Sequence, residues 1–364
     1  MSLASEIAEQ PAVAARLLGP GRAAIEGIAD HIAPLIRDRA VDHVVVAARG
    51  SSDHAAIYAQ YLFGVRLRLP VALATPSIVS IYGVEPRFDR SLVIGISQSG
   101  RSPDIVEVVA AARRQGAPTV ALSNDPASDL AVAAEHAIDL ATGPELAVAA
   151  TKTYTAELLA IALLVTGLER ATATAGTTGI IGAAEADREP ALAAIPDGIA
   201  AGLDTEPQAE AVARHLAAAG RDRLIVVGRG YEYATARELA LKLKELARIA
   251  ADPYSAADFL HGPLALAEPG HPILAIAPSG AAAADVDALL ARLGELGVER
   301  IVLSDRDDAL ALGPVGIRLP RGVPDWLMPI VSIVPGQLLA RHLAIARGLD
   351  PEAPRWIGKV TLTR

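Results

Sequence analysis

Short, nearly unbroken apolar runs alternate with longer amphipathic stretches along this chain. Residues 42–48 (DHVVVAA), 71–74 (VALA), 91–96 (SLVIGI), 118–123 (PTVALS) and 136–140 (HAIDL) read as strands. Their continuous apolar character is that of strands buried on both faces of a parallel sheet. Between them lie helical stretches at 55–63 and 105–114, and a long apolar one from about 151 to 167. Residues 1–40 read as helical, with breaks at Pro11 and Gly19-Pro20. Residues 171–207 read as a connector plus helix. Such alternation predicts an α/β fold with helices on both faces of each sheet.

The pattern then repeats. Val45 to Gly50 (VVAARG) matches Ile225 to Gly230 (IVVGRG), Ile94 to Gly100 (IGISQSG) matches Leu274 to Gly280 (LAIAPSG), and ALSND from Ala121 matches VLSD from Val302. An offset of about 180 residues holds through all three matches, so two copies of one α/β domain are expected. The expected division is 1–193, N-terminal helices plus the first copy, and 194–364, the second copy plus a C-terminal tail. The first copy keeps the hydroxyl-rich loops. The second keeps a set of charged groups.

That set lies on the helix predicted from about 234 to 250, after the strand at 224–227. Glu238, Lys242 and Glu245 are spaced four and three apart, on one helix face. Two readings are open: an ion-paired surface face, or parts for proton transfer. His261 follows on a loop constrained by Gly262-Pro263. In the first copy, Ser51 and Ser52 follow one strand and Ser97, Gln98 and Ser99 another, with Ser102 before Pro103 at a helix start. These hydroxyls serve either as ordinary helix caps or, with the helix N-termini, as a phosphate cradle that needs no Lys or Arg. No Walker-type loop and no GxGxxG follows a strand.

Composition narrows the chemistry. The net charge of −9 argues against nucleic acid or an anionic membrane as partner, and the 52% hydrophobic content supplies large cores. The chain contains no cysteine, which excludes disulfides, thiolate metal sites and cysteine nucleophiles. The opening MSLASEIAEQPAV lacks the basic and apolar regions of a signal peptide, no membrane span is expected, and the expected location is cytoplasmic. His54, in the first turn after Ser52, is a candidate to border the site, while the remaining histidines read as structural or exposed. Lys152 reads equally as facing a ligand or as a helix-surface residue. Asp125 and Asp305 are expected to shape turns, and Trp326 and Trp356 to pack.

With SQSG at 97–100, AATK at 149–152, LKLKE at 241–245, HGPLAL at 261–266 and the Pro354-Arg355…Lys359 tail, the chain resembles the tandem sugar isomerase (SIS) domain family. It is most similar to the isomerase half of glutamine–fructose-6-phosphate aminotransferases and to SIS-type glucosamine-6-phosphate deaminases. The resemblance implies two tandem doubly wound, flavodoxin-like sheets. It implies that Ser51, Ser52, Ser97, Gln98, Ser99 and Ser102 hold a sugar phosphate, with Val148, Ala150, Glu238 and Lys242 completing the substrate wall. Glu245 would move a proton between C1 and C2, His261 would assist ring opening, and Lys359 would reach the sugar carbonyl. In this family the histidine can come from a neighbouring subunit, which implies a homodimer with a composite site. No metal or redox cofactor is implied. Ala150 stands where the aminotransferases carry a serine, and no glutaminase cysteine is present, which favours a deaminase or plain isomerase over a glutamine-dependent enzyme. The alternatives are an isomerase or deglycase of another sugar phosphate, such as a fructosamine 6-phosphate, and a non-catalytic sugar-phosphate sensor.

Overall fold

The computed structural model describes residues 2–173 and 185–359. The first sheet contains β1 (His43–Ala47), β2 (Val71–Leu73), β3 (Ser91–Ile96), β4 (Thr119–Ser123) and β5 (His136–Asp139), in the order β2-β1-β3-β4-β5. The second contains β6 (Arg223–Gly228), β7 (Ala250–Ser255), β8 (Ile273–Ile276), β9 (Arg300–Ser304) and β10 (Val315–Arg318), in the order β10-β9-β8-β6-β7. Read from its other edge, the second order is that of the first. Every neighbouring pair is parallel. Both sheets are therefore doubly wound, and the strand order reverses between β1 and β3 and between β6 and β8. Ligands bind at such switch points, outside the carboxyl ends of the strands.

Two compact units are built on these sheets. The described residues of Ala12–Glu145 and Lys152–Ala193 carry the first. Ala47, Val93 and Ala121 bury one face of this sheet against Val108, Val109 and Ala112 of the helix Pro103–Arg114. The helix Ser51–Leu67 lies against β1 and β3 and packs on the long helix Lys152–Thr172. Met1–Pro11, Leu146–Thr151 and Ala194–Lys359 form the unit with the second sheet. There Val227, Ala275 and Val302 pack on Val286, Leu289 and Leu293 of the helix Ala283–Glu295. The helix Glu232–Ala247 lies on β6 and β8 and packs on Met328–Ala346. Met328–Ala346 has the length and apolar composition of a membrane span, yet most of it is buried against neighbouring helices of its unit.

Three sequence expectations need correction, and one holds. Gly19-Pro20 does not break the N-terminal helix, because Leu17–Gly21 forms a π-helical turn that continues into the helix Arg22–Arg37. The break expected at Pro11 is present: the helix Leu3–Ala8 is capped at Glu9, and Pro11 sits in the first turn of the next helix, Gln10–Arg16, where a missing N–H costs nothing. The helix expected to reach residue 250 ends at Ala247, with Arg248 left-handed as its cap, and Ala250 opens β7. Pro253 hid this strand; it is tolerated because β7 is an edge strand. Trp326 is buried as expected, but Trp356 is exposed beneath the Arg355 guanidinium, 4.6 Å from its ring centroid. Part of the expected 171–207 connector lies outside the described residues.

Candidate active site

In the first-sheet unit, the loops after β1 and β3 flank the switch point. Gly50 precedes the helix Ser51–Leu67, whose first turn carries Ser51 and Ser52. The Ser52 hydroxyl donates to Glu157 Oε1 at 2.8 Å, so in this geometry its proton is committed to a buried carboxylate. After β3, Ser97 Oγ accepts from Gly100 N–H at 3.2 Å and Ser99 Oγ from Arg101 N–H at 3.3 Å. Both hydroxyls remain able to donate outward. Gly100 has φ +62, and a Cβ there would lie 2.1 Å from Ser128 Oγ, so the turn requires glycine.

Ser102 is the N-cap of the helix Pro103–Arg114, yet its side chain makes no capping bond. That separates the two readings of this serine: the hydroxyl stands at a helix N-terminus without being used to cap it. Asp104 next to it is buried, accepts from its neighbour Ile105 N–H at 3.0 Å and pairs with Arg49 Nε at 3.0 Å. The arginine after β1 thus balances a carboxylate at the second loop. Gln98 contributes its carbonyl to Asn124 N–H, tying the β3 loop to the end of β4. Asp125 shapes the turn there as expected, accepting from Ala127 N–H at 3.0 Å. His54 is buried in the first helix. Lys152 is fully buried, which removes the helix-surface reading of that residue.

The equivalent loops of the second sheet are built oppositely. The 180-residue register sets Glu232 against Ser52 and Ala282 against Ser102. Ser279, the counterpart of Ser99, gives its N–H to Asp305 Oδ1 and its hydroxyl to Asp305 Oδ2, each at 2.7 Å. Where Ser99 Oγ accepts from its own loop, its counterpart here donates to the protein's own carboxylate. Glu232 is buried and accepts from Ser332 Oγ at 2.8 Å. Burial pushes its pKa up to about 7, aided by Asp305 and Asp325 and opposed by hydroxyl donors from Thr235 and Ser332. Sequence reasoning passed over Glu232, although the repeat register marks it.

Glu238, Lys242 and Glu245 come together on the helix Glu232–Ala247. Lys242 Nζ lies 3.3 Å from Glu238 Oε1 and 2.6 Å from Glu245 Oε2. The Lys242 and Glu238 side chains are 1% and 0% exposed, which excludes the surface-face reading. Glu245 keeps 22% of its side chain in solvent. Burial pulls the Lys242 pKa down, but the two carboxylates together outweigh it and hold the ammonium above its ordinary value. Two carboxylates sharing one ammonium leave the set with a net negative charge, carried nearest to solvent by Glu245.

Other expected site residues of this unit stand on different segments of the chain. Val148 and Ala150 are half-buried in an irregular segment. Buried Glu6 anchors its start by accepting from Leu146 N–H at 2.5 Å and Ala147 N–H at 3.2 Å, and Gln337 Nε2 holds its end by donating to Thr151 O at 3.3 Å. His261 is exposed and caps the helix Ala256–Leu260; Gly262 beside it has φ +124, and the 3₁₀ turn Pro263–Leu266 follows. Lys359, half-buried, is the last described residue. His215, His271 and His342 each face a single carboxylate: Glu299, Glu268 and Glu206.

Two parallel sheets of one strand order, one with hydroxyl-rich loops at its switch point and the other with a buried carboxylate–ammonium set, define a duplicated doubly wound α/β protein. The chain belongs to the SIS domain family, whose model matches residues 39–167 and 218–347. It is 35% identical over 364 residues to a glutamine–fructose-6-phosphate aminotransferase of Thermococcus kodakarensis, covering 97% of this chain and 56% of that protein. The chain spans about half the length of the curated relatives it matches. A crystal structure from Silicibacter pomeroyi DSS-3, provisionally assigned as a phosphosugar isomerase, superposes with a TM-score of 0.81 at 33% identity, covering 96% of this chain and all of that one. The C-terminal domain of a Francisella tularensis glucosamine-fructose-6-phosphate aminotransferase shares the fold, with a TM-score of 0.79 at 24% identity and coverage of 97% and 98%.

Proposed function

We propose that this chain is a phosphosugar isomerase that acts as a deaminase: a 2-amino-2-deoxyhexose 6-phosphate plus water gives a ketohexose 6-phosphate plus ammonia. The observation that carries this reading is the buried Glu238–Lys242–Glu245 set, with one carboxylate left partly open to solvent. A base that removes the C2 proton and returns it to C1 must be fixed and reachable, and Glu245, 2.6 Å from Lys242 Nζ with 22% of its side chain in solvent, fits that role. The proton shuttle turns the open-chain aldehyde into a ketimine, which water cleaves to ketone and ammonia. The hydroxyls of Ser97, Ser99 and Ser102 and the N-terminus of Pro103–Arg114 hold the phosphate. His261 and Lys359 act on the ring oxygen and the carbonyl, His261 from a neighbouring subunit of a homodimer. The similarity to glutamine–fructose-6-phosphate aminotransferases and to a provisionally assigned phosphosugar isomerase supports a sugar-phosphate substrate.

The deciding experiment is an ammonia-release assay with glucosamine 6-phosphate and galactosamine 6-phosphate. Release from one of them that disappears in Glu245→Gln supports the reading. A ketose phosphate formed from a non-amino aldose phosphate, without ammonia, would replace it by plain isomerisation. Ligand-induced thermal stabilisation with neither product would replace it by sensing.

A further inference from the structure

Two imidazoles and a carboxylate converge away from the strand switch point, at the amino-terminal end of the first sheet's edge strand. His31 lies on the helix Arg22–Arg37, while Glu135 and His136 stand at the start of β5. One ligand atom from each residue lies within 4.8 Å of the other two. His31 Nε2 is 3.8 Å from Glu135 Oε1, too long for a hydrogen bond. The two imidazole rings meet edge to face with centroids 4.9 Å apart. His136 Nε2 is buried and has no hydrogen-bond partner among the described residues. A simple ion pair explains neither the second imidazole nor its unsatisfied nitrogen.

We propose that His31, Glu135 and His136 bind one divalent transition-metal ion, with water completing the coordination. Two imidazoles and a carboxylate suit zinc, nickel, cobalt or copper; magnesium and calcium prefer oxygen ligands alone. Zinc bonds of about 2.0–2.2 Å require donors closer together than they stand here. The side chains that must move are the free ones, since His31 and Glu135 are 59% and 43% exposed. The backbone beneath them is fixed. Glu135 N–H donates to Thr119 Oγ1 at 2.8 Å, and Arg113 Nη1 holds the carbonyls of Val132 and Ala134, each at 2.9 Å. The ion would clip the helix Arg22–Arg37 onto the sheet edge and stabilise the folded chain by linkage.

Calorimetric titration of the full chain with Zn²⁺ tests this. One ion per chain is expected, together with a zinc-dependent rise in melting temperature. His31→Ala and Glu135→Ala should each weaken binding at least about ten-fold, the scale at which even outer-shell changes act. Both positions are exposed, and circular dichroism checks that each variant is folded. His215→Ala removes an exposed histidine from a different carboxylate pair and should leave binding unchanged. Absence of binding, binding undiminished in both site variants, or an equal loss in His215→Ala would overturn the assignment.

Discussion

Replacing Lys242 by methionine isolates the central charge of the second-sheet unit. The substitution keeps most of the aliphatic stem and removes the ammonium. Glu238, with a side chain 0% exposed, is then left as a buried carboxylate without its cation 3.3 Å away. Stranding one partner of a buried pair costs about 3–5 kcal/mol. Glu245 is partly solvated, and its loss of the same partner adds about 1 kcal/mol at most. In a unit of this size these figures correspond to a melting temperature lower by roughly 10 °C. The penalty depends on pH. Without Lys242 the folded-state pKa of Glu238 rises above its unfolded value, so Glu238 is protonated in the fold at low pH and the cost is small there. It grows as the pH rises past the unfolded carboxylate range toward the raised folded value. Adding Glu238→Met removes the stranded charge and should recover most of the loss. Thermal melts followed by circular dichroism at pH 5 and pH 8, for the parent, single and double variants, measure all three expectations. A single variant melting within about 2 °C of the parent at pH 8 would refute the reasoning, as would a double variant no more stable than the single.

Further expectations concern single side chains. Glu245→Gln should lower turnover by about 10²–10⁴-fold while leaving sugar-phosphate affinity nearly unchanged, as measured by steady-state kinetics beside calorimetry; loss of binding would count against a role as base. Glu232, with its folded pKa raised to about 7 from 4.5, holds a proton that the unfolded chain releases. Stability should therefore fall by about 3 kcal/mol as pH rises from the unfolded value through 7 and level off above it. Glu232→Gln should flatten that slope in urea midpoints, and an unaltered slope would reject the assignment. Ser102→Ala should weaken sugar-phosphate binding about ten-fold with no change in melting temperature, because its hydroxyl makes no capping bond; a matching loss of stability would identify it as a cap after all.

The strands were legible because buried parallel strands carry their own signature. The run at 91–96 coincides with β3, and the repeat register anticipates a common strand order. β7 was not legible, since AADPYS holds a proline and little apolar content, and only its edge position makes it a strand. Helical spacing showed that Glu238, Lys242 and Glu245 share a face but not that the face is buried. Burial is a matter of tertiary packing, and the helix Met328–Ala346, distant in sequence, and the strands β6 and β7 all pack on theirs. Nor does spacing show where a hydroxyl proton goes, and Ser52 donates to Glu157, 105 residues away in sequence.

The carboxylate of Asp305 gives the second sheet a property the first lacks. A ligand tethered to its own loop has an effective concentration far above that of a free metabolite. Ser279 in this sense carries its own anion, since both its N–H and its hydroxyl donate to the Asp305 carboxylate. Duplication thus produced one sheet whose serine hydroxyls after β3 accept from their own loop's N–H groups and one whose matching serine is tied to the protein's own carboxylate.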